Sequence, residues 1–193
     1  MRRGTLAGVT WDDWTIEQTR MLTSLRGRSI ERWDGVEMAL WDNDSDIPRF
    51  SDATFPFLHL YSLRAAMTDG AALTITTYQE DANFGLRSFP DARFDDQRWE
   101  GIYRWRALPE LPVGRVDQVT VFADEDVVAE MDLRIGGRPL LLVAGELDGA
   151  PDEELLLHRL EDAVLAFTDL AAAEHAPWSS PRRDLRPIPS LVP

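Results

Sequence analysis

Three histidines, His59, His158 and His175, are the side chains of this sequence best suited to moving a proton near neutral pH. None falls in H-x-H, H-E-x-x-H or H-x-x-x-H spacing, so a zinc site would have to draw every ligand from a distant segment. His59 lies in a strand-like run beside Tyr61. A site joining His59 to Tyr78 and Glu80 at one sheet end would suit general acid–base chemistry. The competing role for His59 is structural, a sheet histidine satisfied by a local hydrogen bond. Asp42-Asn43-Asp44-Ser45-Asp46 opens like a calcium loop, but its sixth position is Ile47 rather than Gly and its twelfth Ala53 rather than Glu. It reads as a solvated turn.

Other chemistries lack their residues. Ser62 and Ser88 stand in strand-like contexts and no G-x-S-x-G elbow occurs. Neither G-x-G-x-x-G nor G-x-x-x-x-G-K is found, and there is no cysteine. All 20 basic residues are arginine, which removes Schiff-base and P-loop lysines. No catalytic residue, metal site or cofactor is therefore expected. Carboxylate pairs are too plentiful among 34 acids to point anywhere by themselves.

Charge is more informative. Of the net charge of −14, the segment Val116–Asp169 carries −11, from 14 acids against 3 arginines. Such a field repels nucleic acid and anionic lipid and attracts basic partners, although acidic turns also serve solubility alone. Seven tryptophans add a second feature. Trp11, Trp14, Trp33 and Trp41 gather toward the N-terminus, and Trp99 and Trp105 lie near an arginine-bearing strand. Tryptophan with arginine recurs in sugar sites and interface hot spots, and also in ordinary cores.

The elements that must position these groups centre on Val127–Leu147. Ala129, Met131, Leu133 and Ile135 alternate with Glu130, Asp132 and Arg134, the pattern of a half-buried strand. Gly136-Gly137 suits a two-residue hairpin turn, which sets Leu133 opposite Leu140, Met131 opposite Leu142 and Ala129 opposite Ala144. Leu141 and Val143 make the return strand apolar on its other face too, as for a strand covered on both sides. Upstream, Asp12 or Asp13 caps a helix running to about Gly27, with Trp14, Met21, Leu22 and Leu25 on one face. Strands follow at Val36–Trp41, Phe55–Met67, Ala71–Gln79, Phe84–Phe89, Ile102–Leu108 and Val116–Phe122. In the second of these, Leu58, Leu60 and Ser62 are set to point one way, with His59, Tyr61 and Leu63 the other.

Pro151–Ala176 admits two readings. Leu156, Leu160, Ala163 and Phe167 continue a helical stripe, yet LLLHRL and AVLAF also read as two strands meeting at Glu161-Asp162. That pair is poor turn chemistry, which tilts the balance to helix. Five prolines mark the tail from Pro177 as an extended arm dispensable for folding.

The expected fold is α+β, a mostly antiparallel β-sheet with an N-terminal helix and, on the helical reading of Pro151–Ala176, a C-terminal helix. Residues 1–176 form the domain and 177–193 the arm. The start, MRRGTLAGVTW, has no apolar run of signal-peptide length, so a cytoplasmic location is expected. Functionally, the sequence suggests a non-enzymatic acidic protein that binds a basic protein partner, similar in physical type to bacterial immunity or inhibitor proteins. The recognition residues would be Asp124, Glu125, Asp126, Asp152, Glu153 and Glu154, placed in turns. A small enzyme built on His59 and carboxylates is the alternative. Neither nucleic acid nor membrane is an expected partner.

Overall fold

The structure, a computed structural model, describes residues 3–6, 9–40, 48–50, 52, 55–90, 99–124, 126–148, 156–179 and 185–189. The chain opens with a hairpin of β1 (Arg3–Leu6) and β2 (Val9–Asp12), followed by helix α1 (Asp13–Thr23). A large antiparallel sheet holds β3 (Ser29–Met38), β4 (Phe57–Met67), β5 (Ala72–Glu80), β6 (Asn83–Pro90), β7 (Tyr103–Ala107), β8 (Gly114–Asp124), β9 (Val127–Ile135), β10 (Arg138–Asp148) and β11 (Leu156–Phe167). A short helix α2 (Leu170–His175) and strand β12 (Arg186–Ile188) complete the chain. The mostly antiparallel α+β architecture expected from the sequence is therefore present, with little helix. No helix among the described residues is long and apolar enough to cross a membrane.

Six of these strands close on themselves. Antiparallel pairings run β3–β4–β11–β10–β9–β8 and return to β3 through Ser29↔Arg115 and Ile30↔Gly114. Closure removes the free edges that an open sheet would leave exposed. The hairpin β5–β6 branches from β4, β7 from β3, and β12 from β8.

The β9–β10 hairpin has the register its pattern dictates, with Leu133↔Leu140 and Met131↔Leu142. Gly136 and Gly137 take φ of +55° and +79°, the left-handed turn a side chain would resist. Leu140, Leu142 and Ala144 point into the main core, joined there by Trp33, Leu60, Leu63, Ile75 and Leu86. Leu141 and Val143 face a second cluster with Leu157, Leu165, Phe167 and Ala173 of α2. The return strand is thus covered on both sides. In α1 the buried face is Thr15, Ile16, Gln18, Thr19 and Leu22, so only part of the predicted apolar stripe is inward. Threonine suits that position because Thr19 and Thr23 return their hydroxyls to Thr15 and Thr19 carbonyls at 2.8 and 2.7 Å.

Two expectations are corrected. Leu156–Phe167 is a strand, not a helix, and the C-terminal helix is confined to Leu170–His175. The second apolar run, Ala163–Phe167, is buried because Val164–Phe167 lies between β10 and β4, and a stretch covered on both faces carries no period-2 signature; in the first run Leu157 is buried and Leu156 exposed. The tail is not wholly loose either. Arg186–Ile188 pairs with Ala123–Val121 of β8, and Ile188 enters the main core. Pro187 is tolerated because β12 is a terminal strand with no second neighbour among the described residues.

Leu142 is fully buried. Leu142→Ala is expected to cost about 2–5 kcal/mol in denaturant melts, as for other enclosed leucines. Truncation after Ser180 removes β12 and Ile188, so the thermal midpoint should fall by several degrees. An unchanged midpoint would mean that β12 contributes nothing to the fold.

Candidate functional site

The most irregular part of the sheet lies where β4 changes partners. Phe57–Leu60 pairs with Phe167–Val164 of β11, whereas Ser62–Ala66 pairs with Thr76–Ala72 of β5. Tyr61 falls at this fork. On the opposite edge a register shift leaves it without a β3 partner, since Val36 pairs with Ser62 and Glu37 with Leu60. This shift also corrects the expected facing of β4, because Leu60 and Leu63 both enter the core and Tyr61 is turned outward.

A long bulge in β11 adjoins the fork. Ala144 of β10 pairs with Val164 and Gly145 with Arg159, so Leu160, Glu161, Asp162 and Ala163 have no β10 partner. Leu160 takes φ of +61°, a left-handed conformation costly for a branched side chain. The bulge is held at both ends. Thr77 donates its hydroxyl to the Asp162 carbonyl at 2.7 Å. At Gly145 an added Cβ would stand 2.5 Å from the His158 carbonyl, so only glycine allows β10 and β11 to approach there.

The bulge collects negative charge. Burial pushes the Glu146 carboxyl above its ordinary range, and the neighbouring Asp162, Glu161 and Asp148 carboxylates add to that shift. His158 opposes it and lies 3.6 Å from Asp148, an exposed contact of little strength. Among the described residues no arginine forms an ion pair with any of these four acids. Beside them stands an aromatic trio. Tyr61, Trp99 and Tyr103 have ring centroids 5.5–5.9 Å apart in tilted and edge-to-face contacts. Tyr61 remains 39% exposed, and burial followed by Tyr61 and Asp162 raises the Tyr103 phenol above its usual range.

A groove of about 570 Å³ runs from this patch along the β5–β6 hairpin. Tyr78 and Glu80 line it together with Trp14, Tyr61, Arg87 and Asp162. His59, expected beside Tyr78 and Glu80, is not in the lining. It is only 5% exposed, and neither ring nitrogen has a hydrogen bond of good geometry. Burial lowers its pKa from 6.5 to about 4, against weaker opposite pulls from the Ala39 backbone and Asp162. The ring is therefore neutral near pH 7 and enclosed in the protein.

Of the turn acids expected as a recognition surface, Asp124 and Asp126 lie within the described residues. Asp124 ends β8, half-buried, and Asp126 is exposed, its carbonyl accepting the Thr15 hydroxyl at 2.6 Å. Asp126 is thus tied to α1 through its carbonyl. Glu125, Asp152, Glu153 and Glu154 fall outside the described residues, as does Asp42–Asp46. The acids that do converge, Glu146, Glu161 and Asp162, had one local signal: Glu161-Asp162 interrupts two apolar runs without turn residues. Among the described residues no group of three or more His, Asp or Glu side chains is placed to hold a metal ion.

Other charges are internally matched. Glu130, fully buried, pairs with Arg159, whose guanidinium lies 3.9 Å over the Trp178 ring beside a cavity of about 650 Å³. Glu37 receives Arg104 at 2.5 Å and Arg106 at 2.6 Å, and Arg106 also pairs with Glu110.

His59 gives a pH prediction. The unfolded ring titrates near 6.5 and the folded ring near 4, so between those values the unfolded chain binds more protons. Stability should fall as pH drops from 6.5 to about 4 and be unaffected by this group outside that window. The full shift corresponds to roughly 3 kcal/mol. Urea melts of His59→Gln should show that much less acid destabilisation than the parent between neutral pH and pH 4; equal losses would mean the ring is not buried as described. No protein-family model, curated protein or solved structure matches this chain, so the geometry of the β4 fork, its acids and its aromatics must carry the functional reading.

Proposed function

We propose that this protein is a non-enzymatic binding protein of the immunity or inhibitor type, and that the β11 bulge is its recognition surface for a basic protein partner. The observation that carries the reading is the convergence of Glu146, Asp148, Glu161 and Asp162 with no arginine paired to them among the described residues, although buried acids elsewhere are matched. Repulsion among these carboxylates is relieved when a cation approaches, so electrostatic energy unspent in folding is available to binding. Tyr61, Trp99 and Tyr103 supply the rigid aromatic area typical of interface hot spots. Charge steers the encounter and aromatic contact slows dissociation.

The enzymatic alternative needs a base within reach of Tyr78 and Glu80. The neutral, enclosed His59 does not line their groove, which weighs against that reading.

The proposal is tested with a basic protein captured by the full chain from its host. Glu161→Gln with Asp162→Asn should slow association about tenfold or more at low salt, and the difference should shrink at high salt. Tyr61→Ala should instead mainly raise the dissociation rate. Neutralising Asp124 and Asp126 serves as the comparison for the turn acids. A bulge variant that associates as fast as the parent at both salt concentrations removes the bulge as a recognition surface.

A further inference from the structure

The groove beside the bulge has a chemistry of its own, which does not depend on a basic protein partner. Its walls include the Trp14 and Tyr78 rings, edge to face at 5.6 Å, with Tyr61 toward the bulge. Its charged groups are Glu80 and Asp162, which accept hydrogen bonds, and Arg87, which only donates. Although of opposite sign and lining one groove, Arg87 forms no ion pair with either acid among the described residues. The space between them is therefore open to a third party.

Arg87 and the two acids make complementary demands. A ligand that meets all three must bring an acceptor to Arg87, donors to Glu80 and Asp162, and an apolar face to the rings. An arginine or lysine side chain supplies donors and no acceptor, so it answers the carboxylates and leaves the Arg87 guanidinium unanswered. A polyhydroxylated ring supplies everything. Each hydroxyl both donates and accepts, and the C–H face of the ring packs on an aromatic side chain. The volume, about 570 Å³, lies in the usual range of small-ligand sites.

We infer that the groove between the β5–β6 hairpin, α1 and the β11 bulge is a carbohydrate-binding site, with Arg87, Glu80 and Asp162 reading hydroxyls and Trp14 and Tyr78 packing against the sugar ring. Substrate turnover is not part of the inference.

Saturation-transfer NMR on the full chain tests it, using the methyl glycosides of glucose, galactose, mannose and N-acetylglucosamine, with N-acetyl-arginine amide as the cationic probe. At least one glycoside should bind saturably at millimolar concentration. Arg87→Ala and Glu80→Gln should each weaken it about tenfold or more, the effect of one hydrogen bond to a charged group. Trp14→Ala removes an aromatic wall and should weaken it several-fold, whereas Arg138→Ala, in the β9–β10 hairpin outside the groove lining, should not. Thermal melts establish which variants are folded, and the parent's glycoside binding is decisive even where a variant is not. The inference is overturned if no glycoside saturates, if folded Arg87→Ala and Glu80→Gln bind as the parent does, or if only N-acetyl-arginine amide binds. That last result would make the groove a socket for a basic side chain and leave the protein-binding proposal standing.

Discussion

A β-strand has two hydrogen-bonding edges, and β4 must serve three neighbours with them. One edge is given to β3. The other is divided, its first half to β11 and its second to β5. Much of the unusual local geometry follows from that division. Where β11 leaves β4, its chain runs on as the Leu160–Ala163 bulge, tied to β5 through Thr77 and to β10 through the close approach at Gly145. The bulge carries Glu161 and Asp162 to the surface beside Tyr61, the residue at which β4 changes partners. Acidic patch, aromatic trio and groove therefore share a single structural origin.

The distribution of charge within the fold separates structural acids from available ones. Glu130 and Glu37 are buried, and each is met by arginine. A buried pair adds little net stability against an apolar replacement, but losing one partner strands a charge and is costly. Arg159 is further held by the Trp178 ring, which fixes α2 and the chain beyond it against β11. Glu146, Asp148, Glu161 and Asp162 stand in contrast, the last three adding to the burial that raises the Glu146 carboxyl. Folding tolerates this repulsion because solvent screens the outer members, and a cation on a partner would reverse its sign.

The two proposed recognition modes, a protein at the bulge and a sugar in the groove, would make different demands on adjoining positions. The bulge offers carboxylates and exposed tyrosine, suited to a basic, fairly flat partner. The groove offers both hydrogen-bond polarities between aromatic walls, suited to a small neutral molecule. Asp162 and Tyr61 belong to both, so occupancy of the groove would alter the acid and the ring that a protein partner meets.

Where the apolar pattern was local, the sequence by itself determined the outcome. Alternation and Gly136-Gly137 specified the β9–β10 register, and Leu141 and Val143 announced a second covered face. The strands that became β4 and β5 were legible too, as were α1 and the chemistries excluded by lacking cysteine and lysine. Part of the candidate site was visible too, as Tyr78 and Glu80 near the end of one strand. Tertiary structure alone decided the rest. Leu156–Phe167 looked helical because its second half, buried on both faces, loses its alternation and the Leu160–Ala163 bulge interrupts the rest, so only pairing with β10 and β4 tells strand from helix. His59 became an enclosed neutral ring, and Ile188 a core residue, through contacts with segments far away in the chain. The acidic site likewise comes from Glu146 and Glu161-Asp162 meeting across two strands. A sequence pattern shows which side chains seek burial, whereas their neighbours are set by strand pairing at long range, where local spacing carries no information.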